Sequence, residues 1–386
     1  MFGTAGVIIT PDTPLLVFWS AVLWALIRLI DGGGARWLYV AGVALGLGAI
    51  SKYTMALVLP GALLTLLLFP PLRGWLKSPH LWLAAVLGAA CTTPLWLWNL
   101  ANGFASFHKQ LGHAMTGAQV KPAANLEAFL ASQLGLVTPL IFAFALWGMG
   151  WALWAGWRQR QPAWFLLGAT SAPILAFFVD HSLGSLVQAH WAGPAYLGGV
   201  MAVAGWLSLT PHPRLAWAVK AAPCVGLAMT LLLFFQAATA LLPIPTKIDP
   251  LKRLGGWDEL SAAVAEELAS HPQAFLFTEK HEPTGPVSFH LPGHPPVFLE
   301  GPIRPSYTSA AEVAALKGRD GIFITRSRSD GSADLARNFA RVTKLRQVVL
   351  HWGGREADAY SLYLAEDYRG GLFVEGDGLH GTPDAP

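Results

Sequence analysis

The chain has 386 residues, 53% of them hydrophobic and only 13% charged, about half the charged share of a soluble domain. A net charge of +3, scattered along the sequence, excludes a basic nucleic-acid surface. Cys91 and Cys224 stand far apart inside apolar stretches, which argues against a disulfide framework.

Residues 1–10 have no basic n-region, so a separate signal peptide is not expected. From Pro14 onward the pattern predicts eight spanning helices, at 14–30, 37–51, 54–70, 80–98, 136–157, 162–179, 190–208 and 217–242. Each is close to the roughly 17–25 residues that cross a bilayer as a helix. The seventeen tryptophans gather near segment ends, as an interfacial aromatic belt would. Gly42-x-x-x-Gly46 in the second segment permits close helix packing, and Gly32-Gly33-Gly34 reads as a turn. A nucleotide loop is a poor reading of these glycines, since no strand precedes them.

Lys and Arg in the short gaps give sidedness. One set of gaps holds Arg28 and Arg36, Arg73 and Lys77, Arg158 and Arg160, and Arg214 and Lys220, and is expected to be cytoplasmic. Everything after Pro243 is then expected outside. There the composition changes. A polar-faced helix is predicted at 257–270, β-rich runs at 274–278, 296–299, 321–325 and 359–364, and helical stretches near 309–317 and 332–341. The expected fold class is therefore a polytopic α-helical membrane protein of about eight spans (residues 1–243). A small extracytoplasmic α/β domain with a partly parallel sheet (244–369) and a flexible tail (370–386) follow.

Few polar residues sit on the outer side. Asp12, in Thr10-Pro11-Asp12-Thr13-Pro14, suits either a helix N-cap or a site carboxylate. Lys52, in Ser51-Lys52-Tyr53-Thr54, either snorkels to water or holds a lipid phosphate. The longest outer loop interleaves Trp96, Trp98, Asn99, Asn102, Phe104, Phe107, His108, Lys109, Gln110 and His113. Rings, amides and cations in that mixture suit a sugar and a phosphate together; an interfacial helix resting on the bilayer is the plainer reading. Asp180, His181, Gln188, His190 and Trp191 line the next outer loop. No metal site is expected, because His181, His190, His281, Glu282, His290 and His294 lack the short spacing of a strong ligand set. There is no Gly-x-Ser-x-Gly elbow and no phosphate-binding Walker loop.

Several stretches together resemble the polyprenyl-phosphate-dependent glycosyltransferases of the GT-C class, family 39, near bacterial aminoarabinose transferases and protein O-mannosyltransferases. They are Thr10-Pro11-Asp12-Thr13-Pro14-Leu15-Leu16 with Phe18-Trp19, Gly46-Leu47-Gly48 with Ser51-Lys52-Tyr53-Thr54, and Leu97-Trp98-Asn99 with Ala105-Ser106-Phe107. His190-Trp191-Ala192-Gly193-Pro194-Ala195-Tyr196, Gly256-Trp257-Asp258-Glu259-Leu260 and Ser288-Phe289-His290-Leu291-Pro292-Gly293 continue the series. Members of that family begin with further spans, and an acidic residue in their first large outer loop serves as base. Only nine residues precede Thr10 here. The resemblance therefore implies a chain lacking its N-terminal spans and main base, with Asp12 in the place of the second, supporting acid.

The resemblance implies sugar transfer from a polyprenyl-phosphate donor to a lipid (lipid A or another glycolipid) or a protein, on the outer face of the bacterial inner membrane. Lys52 would hold the donor phosphate, with Tyr53, Trp98, Asn99, His108, Lys109, His113, His190 and Trp191 lining the donor site. No nucleotide or other cofactor is called for, and a divalent metal is the one addition left open. Membrane lipids are the remaining partners. Two rival functions stand beside this one: a transporter or flippase of lipid-linked sugars, and a non-catalytic membrane partner that binds glycan or protein.

Overall fold

The structure is a computed structural model that describes residues 10–108, 110, 121–210, 212–242, 244–245, 249–303, 308–327 and 335–374. It divides into two compact units, Met1–Leu231 and Leu232–Pro386. This division falls inside a helix, some residues before the composition change at Pro243.

The first unit is helical. Its elements are α1 (Asp12–Ile30), α2 (Arg36–Ser51), α3 (Val58–Leu68), α4 (Pro79–Cys91), α5 (Thr93–Ala101), α6 (Pro122–Val137), α7 (Pro139–Arg158), α8 (Pro162–Gly184), α9 (Gly193–Leu209) and the start of α10 (Pro213–Thr239). Short 3-10 helices cover Tyr53–Leu57, Pro70–Lys77 and Ala189–Ala192. Proline opens α4, α6, α7, α8 and α10. At a first helical position its missing N–H costs nothing, because that group has no intrahelical acceptor. Pro173 and Pro223 lie inside α8 and α10, as helices in a bilayer tolerate.

Five of these helices are long and apolar enough to cross a membrane, or seven if each bent pair is one span. Among the described residues that is fewer than the eight or so expected. With sixteen residues, α2 is only about 24 Å long at 1.5 Å per residue, short of a hydrocarbon core of roughly 30 Å. The segment expected at 54–70 starts as a 3-10 turn and then bends by 113° into Pro70–Lys77. The segment at 80–98 bends by 47° between α4 and α5. The region before residue 136, expected as loop, contains all but the last two residues of α6 (Pro122–Val137).

Glycines set the helix spacing. A Cβ on Gly42 or Gly46 would run into the carbonyl oxygens of Ala84 and Gly88 on α4, so the Gly42-x-x-x-Gly46 face is where α2 and α4 touch. Gly199 of α9 meets Ala145 of α7 in the same way, and Gly61 of α3 meets Ala169 of α8. Around these contacts Leu15, Trp19, Leu23, Met55, Phe129, Leu167, Ile174 and Tyr196 form the buried core.

The second unit is a mixed sheet with helices: α11 (Trp257–Ser270), β1 (Phe275–Thr278), α12 (Thr284–His290), β2 (Val297–Leu299), β3 (Gly301–Pro302), α13 (Ala310–Ala314), β4 (Gly321–Arg326), β5 (Phe339–Trp352), β6 (Arg355–Tyr368) and β7 (Phe373–Val374). The main sheet has the order β2-β1-β4-β6-β5. β1 runs parallel to β2 and β4, whereas β6 is antiparallel to β4 and β5. Alternation sends Leu276, Ile322, Ile324 and Leu362 to a core with α11, and Phe275, Phe277, Phe323 and Tyr363 to an aromatic core on the opposite face.

Three expectations for this unit change. The helix expected at 332–341 gives way to β5 from Phe339 onward, because β5 forms a long hairpin with β6. Its turn is Gly353-Gly354, at φ 57° and 71°, the left-handed geometry that two-residue hairpins require. α12 was not foreseen. The tail is paired as far as Val374, through β7 on β3, and only 375–386 lie outside the described residues.

Substituting Gly46→Leu should force α2 and α4 apart, at a cost of about 1–3 kcal/mol for overpacking. A lowered thermal midpoint of the detergent-solubilised chain, beside an unchanged midpoint for Gly150→Leu at an open helix position, is the expected measurement.

Candidate functional site

Breaks between helices bring four of the expected residues together. α1 opens on Asp12, Lys52 lies between α2 and the following 3-10 turn with an extended backbone (φ −159°, ψ 134°), and His190 and Trp191 form the 3-10 turn before α9. Lys52 Nζ donates to Asp12 Oδ1 at 2.7 Å, and His190 Nε2 lies 3.5 Å from Asp12 Oδ2. The Lys52 ammonium also sits 5.7 Å from the Trp191 ring centre, within cation–π range. The Asp12 side chain is 4% exposed, Lys52 21% and His190 39%, so the carboxylate is buried beneath two more open groups. Asp12 is not an N-cap. Pro11 holds that position with no side-chain bond, and the carboxylate turns to Lys52 instead.

Tyr53 and Asn99 form a second, adjoining group. Ser106 Oγ donates to Asn99 Oδ1 at 2.6 Å, and Tyr53 Oη lies 2.7 Å from Ser106 Oγ. Since the serine has one proton and Asn99 Oδ1 receives it, Tyr53 must be the donor to Ser106. Asn99 is fully buried and its amide also donates to Leu95 O. Phe107 stacks on Tyr53 at 5.2 Å and tilts against Trp96 at 5.3 Å. The residues after α5 are thereby held to the turn that carries Lys52.

The other expected residues stand apart from these groups. Trp98 is exposed on α5, and it is Trp96 that reaches Phe107. His108 is exposed, one residue past Phe107. Lys109 and His113 lie outside the described residues. His181 bonds Ser185 Oγ at 3.1 Å and stacks on Phe177. Among the described residues no group of three or more His, Cys, Asp or Glu side chains is placed to hold a metal ion.

One residue was missed. Gln133 of α6 is fully buried; its amide donates to Ala189 O at 3.0 Å and accepts from Tyr196 Oη at 2.8 Å. It falls in a region expected as loop, where burial of an amide is not anticipated.

The second unit has its own polar cluster. Arg326, at the end of β4, pairs with Glu282 at 2.6 Å and Asp358 at 3.2 Å, and contacts Tyr360 Oη at 3.4 Å. Burial opposes the charge on Arg326, but the bond to Tyr360 and the two carboxylates outweigh it and hold the guanidinium above its ordinary pKa. Burial likewise pushes the Tyr360 phenol up, against the pull of Arg326. Neither titrates near neutrality, so this cluster acts as a fixed clasp joining β4, β6 and the residues after β1.

Asp12, Lys52 and His190 of this apolar helical body thus meet where helices break. Two comparisons bear out a likeness to the GT-C class of glycosyltransferases. Residues 1–98, which include Asp12 and Lys52, match the family model of dolichyl-phosphate-mannose-protein mannosyltransferase. A stretch of 214 residues is 27% identical to the lipid A galacturonosyltransferase RgtD of Rhizobium johnstonii, covering 54% of this chain and 43% of that protein. The match thus takes in less than half the length of this curated relative. No solved structure matches the chain.

A double-mutant cycle on Asp12→Asn and Lys52→Met should show a coupling of about 0.5–3 kcal/mol in unfolding free energy. Strict additivity of the two single changes would mean that the pair is not formed in the membrane-embedded chain.

Proposed function

We propose that the chain is part of a membrane glycosyltransferase that takes a sugar from a polyprenyl-phosphate donor, on the outer face of the bacterial inner membrane. The observation that carries this reading is the meeting of Asp12, Lys52, His190 and Trp191, from three separate parts of the sequence, on one end of the bundle. The likeness to a lipid A galacturonosyltransferase supports lipid A or a related glycolipid as acceptor. The likeness to the mannosyltransferase model supports a protein as the second choice.

As the sugar leaves its carrier, the phosphate oxygen gains negative charge, and a fixed cation beside it lowers the barrier. An ammonium group has three N–H donors. Asp12 takes one and holds Lys52 in place, and the others serve the phosphate. Trp191 and the Tyr53–Phe107 stack give flat apolar faces for the sugar ring and the first isoprene units. His190 Nε2 faces the other Asp12 oxygen and steadies the carboxylate that holds Lys52. Asp12, with both oxygens engaged, acts as a counter-ion, and the reading assigns it no role as base. An ionisable cluster at the end of the bundle favours chemistry at the interface over passage through mid-membrane, where transport sites collect their charges.

Lys52→Met should reduce transfer from a polyprenyl-phosphate-linked sugar to lipid A by about 10²–10³-fold, with Lys52→Arg retaining more. The assay is radiolabelled sugar transfer in membranes containing the full chain. Wild-type turnover by Lys52→Met would overturn the assignment.

A further inference from the structure

His190 and Trp191 are carried by a single turn of 3-10 helix, Ala189–Ala192, and Trp191 also tilts against Phe178 of α8. Such a turn is short, and nothing in its own hydrogen bonding makes it rigid. What secures it comes from elsewhere. Gln133 on α6, fifty-six residues earlier in sequence, donates its amide to the carbonyl of Ala189. On the other side of the same side chain, the hydroxyl of Tyr196, one turn into α9, donates to Oε1. The second amide hydrogen reaches Ser132 Oγ at 3.3 Å. The carbonyl of Ala189 can only accept, which fixes the orientation of the amide and hence the donor role of Tyr196.

Both Gln133 and Tyr196 are fully buried within an apolar bundle. A polar side chain in that setting is costly unless its hydrogen bonds are made. Here they are made, and both flank the residue that precedes His190. A leucine and a phenylalanine would fill the same space without that cost, so packing does not account for the pair.

We propose that Gln133 and Tyr196 are positioning residues: together they lock the 189–192 turn so that His190 faces Asp12 and the Trp191 ring faces Lys52. The proposal rests on the reading of that group as the donor-phosphate site. Neither side chain touches the substrate; they act through the turn.

The test uses the full chain in lipid nanodiscs, probed with diethyl pyrocarbonate, with the modification rate of each histidine read by mass spectrometry. Gln133→Met keeps the volume and removes all three hydrogen bonds of the side chain. Tyr196→Phe removes one and leaves the bond to Ala189. The expected result is a rise of about threefold or more at His190 in Gln133→Met and a smaller rise in Tyr196→Phe, with His80 and His271 unchanged as internal references. A general loss of stability would raise all three sites together. An unchanged rate at His190 in a folded Gln133→Met chain would overturn the proposal; if that variant fails to fold, Tyr196→Phe decides by the same readout. Binding of undecaprenyl phosphate to the same nanodiscs should weaken about tenfold in Gln133→Met and more in Lys52→Met. Normal binding by Lys52→Met would sink the donor-phosphate reading, while the His190 rates would still decide the positioning role.

Discussion

A polar atom inside a bilayer has no water to turn to, and the first unit is organised by that constraint. Thr65 and Thr170 return their hydroxyls to carbonyls four residues back on their own helices, a solution open to any hydroxyl on a helix. Gln133, Asp12 and the side-chain oxygen of Asn99 need partners from elsewhere. Each obtains them where a helix stops or breaks, because only there does the chain offer free backbone groups or room for a long side chain. The same breaks therefore supply partners to these three side chains and gather the residues with chemistry. Their gathering at helix ends is then a consequence of solvation as much as of any chemistry they perform.

The helical body was legible because apolar runs register length directly, and the glycine face of α2 was legible because small residues at a spacing of four have few other uses in a membrane. What could not be read was where runs bend. The 113° break after α3 follows Leu68-Phe69-Pro70-Pro71, yet prolines also open straight helices throughout this chain, so the residue type alone does not separate the two. In the second unit β5 was misread because its start, Phe339-Ala340-Arg341, has charges compatible with a helix. The partner that makes it a strand, β6, comes later in sequence, and the Gly353-Gly354 signal between them was passed over.

For the site, the residues at segment ends were visible as polar exceptions to an apolar pattern, and four of them do meet. Their pairing was not visible. Asp12 and Lys52 are forty residues apart, and His190 lies far beyond both; only the packing of α1, α2 and α9 makes them neighbours. Trp96 meets Phe107 while Trp98 faces outward, since residues two apart on a helix point to different sides. Gln133 shows the remaining limit. A glutamine carries no signal of function until a structure shows what lies at both ends of its amide.

The strand order of the second unit has a consequence for how this protein is made. β6 lies between β4 and β5, yet it is the last of the long strands to be synthesised. Until residues 355–368 have emerged, β4 has an open edge and its isoleucines and phenylalanine lack one side of their cover, while β5 has no strand to pair with. The sheet is complete only once β6 has emerged, and the pairing of β6 with β4 spans a long stretch of sequence, which is slow. The half-made sheet is then a natural client for chaperones during biogenesis, and truncations that spare every helix of the first unit but remove β6 would leave a membrane protein with an adhesive, unfinished edge.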